Sequence, residues 1–378
     1  MPRLRPPGHL FICAPREGPR EENELDSTLE RAAELLARAR LPVFGGLFTD
    51  IEGATAAISL AEKLGGVIDH AASTGLSRAA RVMRETGVAP ASFGEVRNRA
   101  DTVVVIGEEP LARDPDLLDK LFPGEPGLPR PGKNKRELIL LGLDKAKTPK
   151  GVPATVINGK TSLPELVALL AASVREGRFD LRDKALRDKI EKAAARLRNS
   201  AFAVFVYDPA ELEEPVLHTV LEMVRHLVKT TRAATMSLAA PGNGEGVNLC
   251  STWTCGLPVR TSFAGKVPDN NMWAYETERL LKSGEADALV WIDALDGEGA
   301  DRPKGAPAIV LTSKSARSSR GDIVIDVGAA ASDHDAALYL PPIAGIGVVK
   351  ARAANKDKPS VAEVLTRIAE LIEAKRAA

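Results

Sequence analysis

The chain has 378 residues, 44% of them hydrophobic, and its 51 basic residues balance 51 acidic ones to a formal net charge of zero. That length suits two domains, while the missing basic surplus and an aromatic content of only 4% argue against nucleic-acid binding. Three cysteines, Cys13, Cys250 and Cys255, are too few for a disulfide scaffold, and no apolar run is long enough for a signal segment or a membrane span, so the expectation is a cytoplasmic protein without membrane contact.

Taken in order, residues 1–21 are rich in Pro, Arg and Glu and predict an extended arm. Ser27 and Glu30 predict a capping box opening a helix whose apolar residues, Leu29, Ala32, Leu35, Leu36 and Ala39, recur at helical spacing until Pro42. A short strand over 42–47 follows, in which Gly45 and Gly46 would let the backbone turn, and then an Ala-rich helix over 51–63 closed by Gly65 and Gly66. This helix, strand, helix, strand order is the grammar of an α/β layer. Residues 77–85 predict a further helix. Val103, Val104, Val105 and Ile106 form a β-branched run stopped by Gly107 and Pro110, the pattern of a buried parallel strand emptying into a loop at its carboxyl end, where ligands bind in such sheets. Asp114 and Pro115 resemble a helix start. The Pro- and Gly-spaced stretch 122–137 predicts a surface loop.

Strands are predicted at 138–142 and 154–157, a capped helix over 162–177, and an amphipathic connecting helix over 181–199. A second α/β series has strands at 203–207, 235–239, 288–292, 308–311 and 323–327, with a helix over 216–229 carrying His218 and His226 as boundary residues. Ser360 and Glu363 cap a final amphipathic helix through Val361, Val364, Leu365, Ile368, Leu371 and Ile372.

Several constellations invite a functional reading. Gly242, Gly244 and Gly246 follow a strand, but their spacing is not the dinucleotide fingerprint and the next residues do not read as a helix, which favours a structural turn. Cys250 and Cys255, with only Cys13 and His9 in reserve, make a poor zinc pattern. Asp333, His334 and Asp335 are consecutive, so their side chains cannot all converge in an extended segment, and a polar turn is expected.

The stretch 65–75, with Gly65, Gly66, Asp69, His70 and Ser73, and the later Gly94, Glu95, Val96, Asn98, Arg99, Ala100 and Asp101 resemble the B-type subunit of formylmethanofuran dehydrogenases, the tungsten- or molybdenum-pterin subunit, in the molybdopterin oxidoreductase family. In that family a Cys-His pair stands where this chain has Gly75 and Leu76, and a cysteine-rich amino-terminal segment holds clusters where this chain has Cys13 alone. With its donors lost, the chain resembles the degenerate B-type subunit of the bacterial formyltransferase/hydrolase complex. The resemblance also touches Asn248, Trp253, Gly256, Pro258 and Gly265, and 343–347.

It implies two Rossmann-like α/β domains, as in the central domains of molybdopterin oxidoreductases: a discontinuous one from 22–70 and 200–350, an inserted one over 71–199, and a carboxyl-terminal helix within 351–378. It implies a vestigial pterin and metal region at Asp69, His70, Gly75, Leu76, Gly242, Gly244, Asn248 and Gly265. No catalytic residue, no metal and neither of the family's cofactors, a tungsto- or molybdopterin and a [4Fe-4S] cluster, are expected. Its partners would be the other subunits of the complex, with the chain serving as a scaffold while formyl groups pass from a tetrahydromethanopterin carrier to a methanofuran-like one and on to formate. The alternatives are an active molybdopterin oxidoreductase subunit, or a nucleotide-binding α/β enzyme using the loop at Gly45 and Gly46 or at Gly242.

Overall fold

The computed structural model describes residues 21–122, 135–143, 147–295, 299–314 and 321–377. The arm with His9 and Cys13, and most of the Pro-rich stretch, lie outside them. Helix α1 (Glu21–Arg38) leads into β1 (Pro42–Phe48), α2 (Ile51–Leu64) and β2 (Val67–Ile68). Next come α3 (Ser73–Thr86), α4 (Phe93–Arg99), β3 (Thr102–Ile106), the short α5 (Glu109–Arg113) and α6 (Leu117–Leu121), β4 (Glu137–Leu141) and β5 (Ala154–Ile157). Then follow α7 (Leu163–Val174), α8 (Lys184–Arg198), β6 (Phe202–Tyr207), α9 (Glu214–Leu227), β7 (Arg232–Ser237) and α10 (Gly244–Cys255). The chain closes with β8 (Thr261–Ser262), β9 (Asp269–Asn270), α11 (Thr277–Lys282), β10 (Ala288–Asp293), β11 (Ala308–Thr312), β12 (Ile323–Asp326), the hairpin β13 (Ala336–Leu340) and β14 (Gly345–Val349), and α12 (Val361–Ala377).

Two sheets organise these elements. One has seven strands in the order β12-β11-β10-β1-β2-β8-β9, parallel from β12 to β2. The other has five parallel strands in the order β5-β4-β3-β6-β7. Both are α/β layers with helices on the faces, as the sequence predicts. The assignment of 203–207 and 235–239 to the sheet of β1 is corrected: β6 pairs with β3 and β7 with β6. The amphipathic helix α8 is therefore a crossover inside the five-stranded unit, with Leu186, Ile190, Ala193 and Leu197 in the same core as α7 and α9, and the connection returns to β6 beside β3.

Local details depart from expectation for local reasons. Helix α1 begins at Glu21, six residues before Ser27, so Ser27 lies inside the helix and its hydroxyl donates back to the Glu24 carbonyl at 2.9 Å instead of capping. Gly45 and Gly46 sit within β1 rather than in a turn. At Gly46, φ is +75° and a Cβ would stand 2.6 Å from the Ile292 carbonyl, so only glycine fits this bulge against β10. A helix does form after Gly242: Val247, Cys250 and Ser251 bury one face of α10, and α10 packs on α2. Helix α4 is opened by a capping box of Ser92 and Glu95, a signal present in the sequence that its short length conceals.

Helix α12 has the expected capping box, with the Glu363 amide donating to Ser360 Oγ at 3.2 Å and the Ser360 amide to the Glu363 carboxylate at 2.7 Å. Its apolar stripe packs on α1 and α2 in the core of the seven-stranded unit. Helix α3 ties the two units together, since Leu76 belongs to that core and Val82 to the core of the five-stranded unit.

Candidate functional site

The loop after β2 and the first turn of α3 carry most of the residues singled out by the family resemblance. Asp69 is 4% exposed, and its carboxylate accepts from Ser73 Oγ at 2.5 Å, from the Thr277 amide at 2.9 Å and from Thr277 Oγ1 at 2.9 Å. Arg260 lies 3.4 Å from it. The same guanidinium donates to Ser73 Oγ at 3.0 Å, Thr74 Oγ1 at 3.0 Å, Glu276 at 3.2 Å and the Met272 carbonyl. Burial pushes the Asp69 carboxyl above its ordinary value, while Arg260, Ser73 and Thr277 pull the other way. Arg260 holds φ at +64°, a conformation a non-glycine residue keeps only when its surroundings fix it. The network knots the β2 loop, α3 and the 260–277 segment together.

His70 is 1% exposed and stacks on Phe48 with ring centroids 5.3 Å apart. Its Nδ1 accepts from the Ala72 amide at 3.0 Å, which leaves the proton on Nε2 to donate to the Gly242 carbonyl at 3.1 Å. Burial lowers its pKa from 6.5 to about 4, against the Gly242 bond. Both nitrogens are committed to backbone groups, so the ring acts as a strut between the β2 loop and the turn before α10. The sign of its linkage follows: above pH 6.5 the neutral ring costs nothing, and as pH falls from 6.5 toward 4 the unfolded chain takes up a proton that the folded chain refuses. Stability on the order of 3 kcal/mol should be lost across that window. His70→Gln should show a smaller loss of melting temperature between pH 7 and pH 4.5 than the wild type, and an equal loss would count against the assignment.

Gly75 and Leu76 lie in the first turn of α3, earlier than the sequence places the helix. A Cβ built on Gly75 would stand 2.9 Å from the Ala210 amide nitrogen and 3.1 Å from its Cα and Cβ, so the 208–211 turn after β6 occupies the space a side chain at 75 would need. Leu76 is 8% exposed and packs in the core. Gly242 and Gly244 join this group: a Cβ on Gly242 would stand 2.2 Å from the Phe48 ring, and one on Gly244 would stand 3.2 Å from His70 Cε1 and 3.3 Å from Leu76. Asn248 is displaced along α10, where its Oδ1 accepts from the Val259 amide at 3.1 Å. Gly265 lies in the β8–β9 connection with only Val267 within reach of a Cβ, apart from the rest.

The residues the sequence reading missed stand at the carboxyl ends of β3 and β6, where the strand order of the five-stranded sheet reverses. Gly107, with φ at +82°, ends β3, and the Glu108 and Glu109 amides beyond it donate to the Glu211 carboxylate at 2.8 and 3.2 Å. A carboxylate of the chain itself therefore holds the backbone donors that a nucleotide phosphate would use. Arg113 spans to Asp208 and to the Ala239 carbonyl. Glu245, on the first turn of α10, accepts from the Ala240 amide at 3.2 Å, and burial raises its carboxyl to about 7. Three cavities, about 410, 340 and 800 Å³, meet at Arg113 and Glu245. The strand ending at Gly107 and the glycine loop over 242–246 are the sequence signals pointing here.

The family's metal and cofactors can be tested against these residues. Position 75 offers no donor and no room for one, and Leu76 is apolar and packed, so a thiolate-ligated tungsten or molybdenum does not fit. A [4Fe-4S] cluster asks for four thiolates, and the chain has three cysteines. Cys250 is buried on α10 beside Thr55, and Cys255 bonds back within the same helix. Among the described residues no cluster of three His, Cys, Asp or Glu side chains could hold a metal ion. Asp333 closes a turn by accepting from the Ala329 amide at 2.8 Å, as expected of a polar turn.

Comparison with known proteins adds two kinds of likeness. The chain is 28% identical over 359 residues to the B-type subunit of the Fhc formyltransferase/hydrolase complex of Methylorubrum extorquens, covering 93% of this chain and 96% of that one. It superposes on a chain of the crystal structure of that complex with methylofuran at a TM-score of 0.82 and 26% identity, covering 94% and 97% of the two chains. In sequence and in fold, the chain is similar to a component of that complex. It also matches the B-type subunit of the tungsten-containing formylmethanofuran dehydrogenase 2 of Methanococcus maripaludis, at 24% identity over 75% of this chain and 67% of that one. No family model matches.

Proposed function

We propose that this chain is a non-catalytic scaffold subunit of a formyltransferase/hydrolase complex, whose other subunits pass a formyl group from a tetrahydromethanopterin carrier to a methanofuran-like carrier and release it as formate. The observation that carries the reading is position 75. The fold of the relatives is kept over almost the whole chain, while the place of the metal-binding thiolate is a glycine pressed against Ala210. His70 and Asp69, which sit beside it, spend their polar atoms on backbone and side-chain struts. With their polar atoms engaged in this way, Asp69 and His70 support a structural role rather than formyl chemistry.

The same observations weigh against both alternatives. An oxidoreductase needs the ligand that Gly75 lacks. A nucleotide site needs a free loop, yet Gly45 and Gly46 lie inside β1, Gly242 is packed on Phe48, and Glu211 holds the amides after β3. We further infer that the inserted unit runs from 71 to about 240, because β6 and β7 complete the sheet that β3 begins. None of the described helices is long and apolar enough to cross a membrane. A cytoplasmic location belongs to the same proposal.

The test is genetic and biochemical together. Cells lacking this chain should yield no assembled complex, and the purified chain alone should neither transfer nor hydrolyse formyl groups. Gly75→Cys should gain no tungsten or molybdenum, because the new side chain meets the Ala210 backbone and no second donor follows it. An active complex from the deletion strain, or hydrolysis by the isolated chain, would overturn the reading.

A further inference from the structure

The hairpin of β13 and β14 is a sheet of two strands, and its two outer edges are treated differently. Tyr339 on β13 turns its amide away from β14 and donates to Asn243 Oδ1 at 2.8 Å. In an antiparallel ladder that makes Tyr339 and Ile346 a non-hydrogen-bonded pair, and the alternation makes Ala337 and Val348 another. Ile346 and Val348 must then point their own N–H and C=O groups outward, along the far edge of β14. Among the described residues no backbone group pairs with that edge. The side chains there are apolar and open to solvent: Val348 is 66% exposed, Ile346 is 36% exposed, and Ile343 at the turn is 62% exposed.

Two strands alone are marginal in water. Proteins that keep an open edge usually blunt it with lysine, proline or a bulge, and 345–349, Gly-Ile-Gly-Val-Val, carries none of these. What completes such an edge is fixed by its chemistry. The outward donors and acceptors repeat every second residue, about 7 Å apart, which only another extended backbone matches.

We propose that β14 is a strand-addition site that takes up an extended segment of a partner subunit, with apolar residues at alternate positions packing on Ile346 and Val348. The proposal rests on the scaffold reading, since the partner is a subunit of the same complex. It gives the scaffold a specific joint: backbone pairing supplies the affinity and the β-branched side chains set the register.

Val348→Pro is the discriminating variant. Its amide faces outward, so proline removes one donor from the open edge while leaving the β13–β14 ladder intact. Co-expressed with the other subunits, this variant should lose most of the assembled complex while the isolated chain melts as the wild type does. Val348→Lys, which leaves the backbone untouched, should weaken assembly less. In the wild type, exchange of the Ile346 and Val348 amides should be fast in the isolated chain and slow about ten-fold or more in the complex. A wild-type complex whose two amides stay unprotected would overturn the site and leave the scaffold reading standing. Failure of the wild-type chain to co-purify with any subunit would overturn both. Protection already present in the isolated monomer, or only in a dimer of this chain, would also overturn the proposal.

Discussion

Asp69→Ala is expected to destabilise the chain by roughly 3–5 kcal/mol, because it breaks a buried ion pair and leaves the guanidinium with only the more exposed Glu276 opposite it. Arg260 is 7% exposed, and Glu276, its other acidic partner, is half-buried and cannot replace two oxygens that also hold Ser73 and Thr277. The loss should appear as a lower midpoint in urea with an unchanged slope. Replacing both partners by apolar residues of similar size should recover part of it, since the cost lies in the orphaned charge rather than in the pair. A loss below about 1 kcal/mol for the single variant, the range of a surface pair, would show that the network is ornamental.

Ile368→Asp is expected to be at least as damaging. Ile368 is fully buried where α12 crosses α1 and α2, and the substitution both empties an apolar site and buries a carboxylate without a partner. Several kcal/mol follow from the two terms together, a large share of the roughly 5–15 kcal/mol that holds a typical domain. The ion pairs that lace the same helix to its neighbours, Lys63 with Glu373 and Lys375 with Glu34, join exposed side chains, so removing Lys375 should leave the melting temperature essentially unchanged. If Ile368→Asp melted like the wild type, α12 would have to leave the core in solution.

Much of the candidate site could be read from residues one at a time. Gly75 has no donor atom whatever surrounds it, and the count of three cysteines limits clusters in any fold. The capping box at Ser360 and the left-handed cap at Gly65 are local signals that survived into the structure, as did the β-branched run that became β3. The polar groups at the junction of the two sheets could not be read that way. Arg113, the 208–211 turn with Asp208 and Glu211, and Glu245 come from three separate segments of the chain, and each residue is an ordinary surface-type residue until β3, β6 and α10 bring them to one place.

Hydrophobic periodicity and capping are properties of neighbours in sequence, so the chain alone determined that this is an α/β protein, where most of its strands and helices fall, and that positions 75 and 76 carry no metal-donor atom. Strand order is a property of pairing between distant segments. Only the tertiary structure decided that β6 and β7 belong with β3, that Ala210 closes the space beside Gly75, and that the outer edge of β14 stays open. The physical reason is the same in each case: a strand's apolar pattern says that it is buried, and the identity of its neighbour is settled by crossover geometry and packing that no single stretch encodes.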